Sequence, residues 1–219
     1  CPLCNSKNIR LYYIIKKYKP HFSINNCTEC GFIFMNPCFK EKAIKEMYNE
    51  AYYSGSAEYS YYDERQALKY SGYVWRKRIK KIRQYADGGN FLDIGCSFGG
   101  FLKYASEYFI PYGIEFSIYS GKYVKSLFGN KIHIGTIADH PFKAGFFSVV
   151  TMIELIEHLS DPVAGVSECF RLLKNNGLLV IQTANMNGLQ SKLLKDRYAY
   201  FMPGHVSYFT ASNLTCLLK

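Results

Sequence analysis

Two pairs of cysteines open the chain. Cys1-Pro-Leu-Cys4 and Cys27-Thr-Glu-Cys30 are separated by 22 residues. A Cys-x-x-Cys turn aims two thiolates at one ion, and a second such turn completes a tetrahedron. Four thiolate ligands leave no open position for substrate, so the expected Zn2+ is structural. Gly31 follows the second pair, where a left-handed backbone lets amides face the sulfurs. A redox dithiol is the alternative use of one such pair, and two pairs at this spacing favour the metal. Cys38, Cys96, Cys169 and Cys216 have no partner at metal-site spacing. They read as small buried hydrophobes in a reducing, cytoplasmic setting.

The run Asp93-Ile94-Gly95-Cys96-Ser97-Phe98-Gly99-Gly100 carries a second kind of chemistry. A small-residue loop between a strand and a helix lets a ligand approach the backbone, and the helix start offers free amides. Glu115 ends the next predicted strand, 20 residues after Gly95. An acid there can accept hydrogen bonds from both ribose hydroxyls of a nucleotide. NAD enzymes share both features. Asp93 suits the amino group of a methionine moiety, or the ordering of the loop.

A third group could move a proton. Glu154, Glu157 and His158 follow the predicted strand at 147–152, and His205 and Tyr208 follow the predicted strand at 177–183. Strand ends are where open α/β sheets bind ligands. His205 or else His158 is the expected general base, with Tyr208 and tyrosines of the 52–62 stretch closing the pocket and Glu154 nearby. The bland reading makes Glu157 and His158 the turn into the next helix and leaves Glu154 in solvent.

The elements that must position these groups follow from pattern. Residues 9–15 are rich in Ile and Tyr and read as a strand. A forty-residue segment with so few apolar residues needs a staple to fold. Residues 40–50 read as helix, 51–62 as a polar and aromatic loop, and 63–85 as a helix with Trp75, Ile79 and Ile82 on one face. From Phe91 onward, strand signals at 91–94, 112–115, 131–134, 147–152 and 177–183 alternate with helix signals at 98–108 and 161–173. That order predicts an α/β fold with a mostly parallel, doubly wound sheet. The expected segmentation is 1–40 as a zinc ribbon, 41–88 as a helical tyrosine-rich connector, and 89–219 as the core.

Charge bounds the partners. The net charge of +10 favours an acidic partner such as nucleic acid or a phosphate-bearing molecule, or else serves solubility. The cationic residues around Trp75 read first as a solvated helix face. No apolar run reaches the roughly 18 residues of a membrane span, and no signal peptide opens the chain. Position 1 is Cys, so the natural chain is expected to begin earlier.

The ordered motifs resemble those of class I S-adenosylmethionine (SAM)-dependent methyltransferases. The resemblance covers Phe91 to Gly99, Gly113-Ile114-Glu115, Gly135 to Asp139, Glu154 to Pro162 and Arg171 to Ile181. It implies a Rossmann-like sheet, SAM as donor and S-adenosylhomocysteine as product. It also implies a cofactor site built from Asp93, Gly95, Cys96, Ser97, Gly99, Glu115, Phe116, Ile137, Ala138 and Met152. Ser97 stands where the family usually has glycine, and its hydroxyl could take the cofactor's carboxylate. Thr136 stands where many relatives have Asp, which leaves the adenine contact to the backbone of Ile137 and Ala138. The family sheet carries two further strands beyond the helix near Thr210, so the C-terminal strands are expected to be missing here. With its zinc ribbon, the layout resembles bacterial sugar C-methyltransferases, which implies a small-molecule, sugar-linked acceptor. Glu154, Glu157 and His158 also match a Glu-x-x-Glu-His pattern of quinone-pathway O-methyltransferases, where it resembles a divalent metal site beside a phenol. An RNA methyltransferase is the competing enzyme reading, and a SAM-binding module without catalysis is the non-enzymatic one.

Overall fold

The computed structural model describes residues 1–56 and 63–219, with side chains except at positions 41, 67 and 68. In chain order the first elements are β1 (Ile9–Ile15), β2 (Phe22–Cys27), β3 (Ile33–Met35), α1 (Glu41–Met47), α2 (Glu50–Ser54) and α3 (Leu68–Ile82). Next come β4 (Asn90–Ile94), α4 (Gly100–Ala105), β5 (Ile110–Glu115), α5 (Ile118–Phe128) and β6 (Ile132–Ile134). The remainder are β7 (Phe147–Ile153), α6 (Pro162–Leu172), β8 (Leu173–Gln182), α7 (Leu189–Leu194), β9 (Ser207–Tyr208) and α8 (Ala211–Leu217). No described helix is long and apolar enough to cross a membrane.

The contacts divide the chain into two compact units that interleave the three consecutive segments expected from composition. The first comprises Cys1–Ile44, Glu154–Ser167 and Gln182–Lys219, and the second Lys45–Ile153 and Glu168–Ile181.

The second unit contains the expected sheet. Its strand order is β6-β5-β4-β7-β8, and the β4–β5, β4–β7 and β5–β6 pairs are parallel. Phe91 to Ile94 is buried throughout, as a central strand covered on both faces requires. On α3, Trp75, Ile79 and Ile82 are buried while Arg76, Lys77, Lys80 and Lys81 are exposed, as is Arg83 just after it. The apolar stripe packs on Phe91, Phe101, Leu102, Phe109 and Val149. The Trp75 ring fills the space over Gly100, where an added Cβ would lie 2.2 Å from it. The loop after β4 is thus pinned from above by a tryptophan that only glycine admits.

Several boundaries differ from the sequence expectation, each for a local reason. The helix expected from 98 begins at Gly100, because Ser97 (φ +49°) and Gly99 (φ +78°) take left-handed backbone. The helix expected over 63–85 starts as a 3-10 turn at Glu64–Ala67. The loop expected from 51 is partly helical. Asn49 caps α2 by accepting a hydrogen bond from the Tyr52 amide at 3.3 Å, and Gly55 ends it with φ +81°. The rest of that stretch, residues 57–62, lies outside the described residues.

The first unit has a four-stranded sheet of order β1-β2-β3-β9, with antiparallel pairs. Its N-terminal strands share a core with the end of the chain: Ile15, Phe22, Ile24, Ile33 and Met35 pack with Met186, Phe201, Val206 and Tyr208.

The Trp75 contact yields a test of the second unit's core. Trp75→Ala should lower stability by about 3–5 kcal/mol, the usual range for emptying a large aromatic site. Urea unfolding of variant and wild type measures it, and a loss below about 1 kcal/mol would show that the stripe does not anchor the sheet.

Candidate functional site

Within the second unit, the turn after β4 is built from three left-handed residues in five: Gly95 (φ +80°), Ser97 and Gly99. The Gly95 and Cys96 amides both donate to the Ile114 carbonyl, at 2.8 and 3.2 Å, which fastens the turn to β5. Glu115 closes it. One carboxylate oxygen accepts from the Ser97 amide at 2.7 Å, and the other from the Ser117 amide at 2.8 Å and the Ser120 hydroxyl at 3.1 Å. Burial pushes its carboxyl above the usual carboxylate range, against the pull of these donors. Asp93 sits opposite Thr151 of β7 and accepts its hydroxyl hydrogen bond at 2.6 Å. Burial raises the Asp93 carboxyl to about 7.

Two features here were not legible in the motif. The Glu64 carboxylate accepts from the Gly100 amide at 3.2 Å. Glu64 opens a helical segment, where an acid ordinarily passes for a simple cap. Among the described residues the Ser97 hydroxyl, a buried atom, has no hydrogen-bond partner, and such an atom normally finds one.

The other residues expected at this site are placed as follows. Cys96 turns its sulfur into the core, 2.6 Å from where a Gly113 Cβ would stand, so only its backbone remains for a ligand. Met152 is fully buried, with the Cys169 thiol 3.9 Å from its sulfur. Its side chain therefore faces the core. Phe116 is half-buried and meets Tyr48 edge-on at 5.9 Å. The turn holding Ile137 and Ala138 is closed by Asp139, whose carboxylate accepts from the Thr136 amide at 2.6 Å and its hydroxyl at 3.0 Å. Thr136 in turn accepts from the Ala138 amide at 3.2 Å.

The first unit contains two clusters. Cys1, Cys4, Cys27 and Cys30 converge, their sulfurs within 4.8 Å of one another. The Cys1–Cys30 and Cys4–Cys27 sulfur separations are 3.6 Å. A tetrahedral ion with bonds of about 2.3 Å places its sulfurs roughly 3.8 Å apart, so the donor set fits zinc.

The second cluster is Glu157, His158 and His205, each with one ligand-type atom within 4.8 Å of the others. The short turn Ile156–His158 sets the first two residues. His158 donates from Nδ1 to the Gly204 carbonyl at 2.8 Å, and His205 from Nδ1 to the Tyr200 carbonyl at 2.9 Å. A carbonyl can only accept, so both rings carry the proton on Nδ1 and present Nε2 as a lone pair. The rings meet edge-on at 4.6 Å. Burial lowers the His158 imidazole to about 4 and that of His205 to about 3. Glu157 is fully buried, its carboxylate taken up by the Tyr200 and Thr183 hydroxyls. Its backbone carbonyl accepts from the Val206 amide at 2.8 Å.

Tyr208 has no exposed surface, and its hydroxyl donates to the His205 carbonyl at 2.6 Å. It holds the His205 loop and does not reach out to an acceptor. Glu154 is exposed, carries an unusual φ of +51° and accepts from the Gln182 amide group at 2.8 Å. Tyr200 was not singled out in the sequence, being one of 20 tyrosines.

Comparisons with known proteins decide the family. A family model described as "Methyltransferase domain" matches residues 63–219. The chain belongs to that family. It is similar to a protein of Psychrobacter arcticus named ubiquinone biosynthesis O-methyltransferase, at 34% identity over 53% of this chain and 49% of that one. It is also similar to a probable S-adenosylmethionine-dependent methyltransferase of Mycolicibacterium smegmatis, at 26% identity over 75% of this chain and 60% of that one. The chain thus spans about half to three-fifths of the length of these curated relatives. Among solved structures, a SAM-dependent methyltransferase from Archaeoglobus fulgidus superposes with a TM-score of 0.56 over 66% of each chain at 20% identity. A SAM-dependent methyltransferase from Thermotoga maritima gives 0.53 over 71% of this chain and 76% of that one, also at 20% identity. These two carry the fold.

The histidine geometry predicts a specific titration. Both rings should remain neutral with the proton on Nδ1 down to about pH 5. The unfolded chain binds protons on these histidines near pH 6.5 and the folded chain does not, so their burial withdraws stability as pH falls from about 6.5 toward 4. Nitrogen-15 imidazole NMR reads this directly, and either ring protonated at pH 6 would contradict it.

Proposed function

We propose that this chain is an enzyme that transfers a methyl group from SAM to a small-molecule acceptor. The observation that carries the reading is the Gly95–Gly100 turn clasped by Glu115. Gly95 and Gly99 bring no side chain to the approach, and Glu115 ends β5 where a nucleotide ribose is expected. Glu115 retains acceptor capacity beyond the three donors it holds. The Ser97 hydroxyl, without a partner among the described residues, and the clustered carboxyls are suited to the cofactor's amino-acid end. SAM supplies a sulfonium-bound methyl that a nucleophile displaces in line, so positioning supplies much of the catalysis.

An acceptor hydroxyl or acidic carbon must still give up a proton. His205, with His158 as the second candidate, offers a neutral Nε2 for it. Glu157 and Tyr200 fix the loop that orients His205, and Tyr208 serves the same end. A nucleotide-linked sugar or other saccharide is the leading acceptor, drawn from the resemblance to sugar C-methyltransferases. A phenol or quinol is the second reading, favoured by the similarity to proteins named for ubiquinone biosynthesis and by Glu154, Glu157 and His158 in sequence. RNA is less favoured, because the cationic side chains of α3 surround an apolar stripe that packs the core. The four-cysteine cluster is proposed to hold one structural Zn2+.

Calorimetry and isotope transfer test the reading together. Glu115→Ala should weaken SAM binding by about 1.5–3 kcal/mol through loss of a charged acceptor. Gly95→Val should abolish it, since a β-branched residue at φ +80° is strained. His205→Ala should retain affinity and lose roughly 10²- to 10⁴-fold in turnover on an acceptor captured from metabolite extract with labelled SAM. Unchanged SAM affinity in both loop variants would sink the cofactor assignment. Metal analysis should find about one zinc per chain and none after Cys4→Ser with Cys27→Ser.

A further inference from the structure

Three carboxylates gather around the turn after β4, and they come from three elements. Asp93 lies on β4, Glu115 on β5, and Glu64 on the 3-10 turn before α3. Burial raises Glu64 to about 7, and the charges of Asp93, Asp63 and Glu115 add to the rise. The Gly100 amide on α4 pulls the other way. The cations nearby are otherwise engaged. Arg65 holds Asp63 with its Nε and Nη2, and its guanidinium lies 3.8 Å from the centre of the Phe98 ring. Arg78 acts on Asp93. Among the described residues, Glu64 itself forms no ion pair with a cation of the chain.

Among the described residues Glu64 has one hydrogen-bond partner, and it holds that partner weakly. Its contact to the Gly100 amide is 3.2 Å, whereas Glu115 reaches the Ser97 amide at 2.7 Å. Charge-assisted hydrogen bonds usually run 2.7–2.9 Å. The neighbouring Ser97 hydroxyl is a separate observation, a buried atom without a hydrogen-bond partner among the described residues. Both observations point to a ligand carrying positive charge and polar atoms together. SAM has two cationic centres, its sulfonium and its ammonium.

We propose that Glu64 is a ligand of the cofactor, resting on the Gly100 amide in this structure and pairing with a cationic centre of SAM when SAM binds. The proposal rests on the reading of the turn as the SAM site. Its consequence is a proton linkage. A carboxyl protonated in the free protein ionises as it meets the cation, and the proton leaves to solvent. Pairing lowers the Glu64 pKa from about 7, so affinity rises with pH up to about 7 and flattens above it. Asp93, also near 7, contributes a second linkage of the same sign.

Calorimetry of SAM binding at pH 6 and pH 8, in buffers of different ionisation heat, tests it. Each carboxyl that titrates should weaken binding roughly tenfold between pH 8 and pH 6. Glu64→Gln keeps an oxygen for the Gly100 amide, so its melting temperature without SAM should match wild type. It should bind SAM more weakly at pH 8, release fewer protons, and lose about one tenfold factor of the pH dependence. Glu64→Asp should bind more weakly yet keep the linkage. Wild-type proton release and pH dependence in Glu64→Gln would overturn the proposal and leave the cofactor site standing. Absence of SAM binding by the wild type at either pH would overturn the underlying reading.

Discussion

A single buried carboxylate organises the turn after β4 and the start of α5. Glu115 accepts from the amides of Ser97 and Ser117 and from the Ser120 hydroxyl. Placing a carboxylate in the interior costs several kcal/mol unless such donors compensate it. The compensation is mutual, because the two amides belong to turns that would otherwise have buried donors without partners. The turn after β4 and the start of α5 are thereby set against one another by one side chain. The left-handed geometry at Gly95, Ser97 and Gly99 then follows from a chain that must bend back to present those amides.

The first unit rests on a different principle. Its N-terminal strands, three to seven residues each, are too short to make a core by themselves. They obtain one from Met186, Phe201, Val206 and Tyr208, and β3 pairs with β9. Asn213 also donates to the Cys30 carbonyl at 2.9 Å. The same loop that supplies this packing holds His205 through the Tyr200 carbonyl. Packing of the N-terminal strands and histidine orientation thus share one stretch of backbone.

Most of the parallel sheet could be read in advance, since buried runs such as Phe91–Ile94 and Phe147–Met152 leave few other options. The cysteine cluster was equally legible, because Cys-x-x-Cys spacing is a local rule. What escaped were contacts made across the sequence. Glu64 meets Gly100 across 36 residues and Tyr200 meets Glu157 across 43, and no periodicity marks either. Met152 and Cys96 fit the cofactor motif by position. Their side chains nevertheless face inward, because alternation along a strand and the handedness of a turn decide direction more finely than a motif does. Tyr208 likewise reads as a pocket residue by its place in the chain, whereas its pairing with Ile33 in the sheet encloses it.

The central claim is that the turn after β4, clasped by Glu115, receives the cofactor. Hydrogen–deuterium exchange with and without S-adenosylhomocysteine tests it most directly, because a ligand seated on the turn suppresses the local opening through which its hydrogen-bonded amides exchange. The account predicts slowed exchange concentrated in residues 95–100, 115–120 and 136–139, with β1 and β2 unchanged. Slowed exchange confined to other segments, with the 95–100 amides exchanging as before, would contradict it.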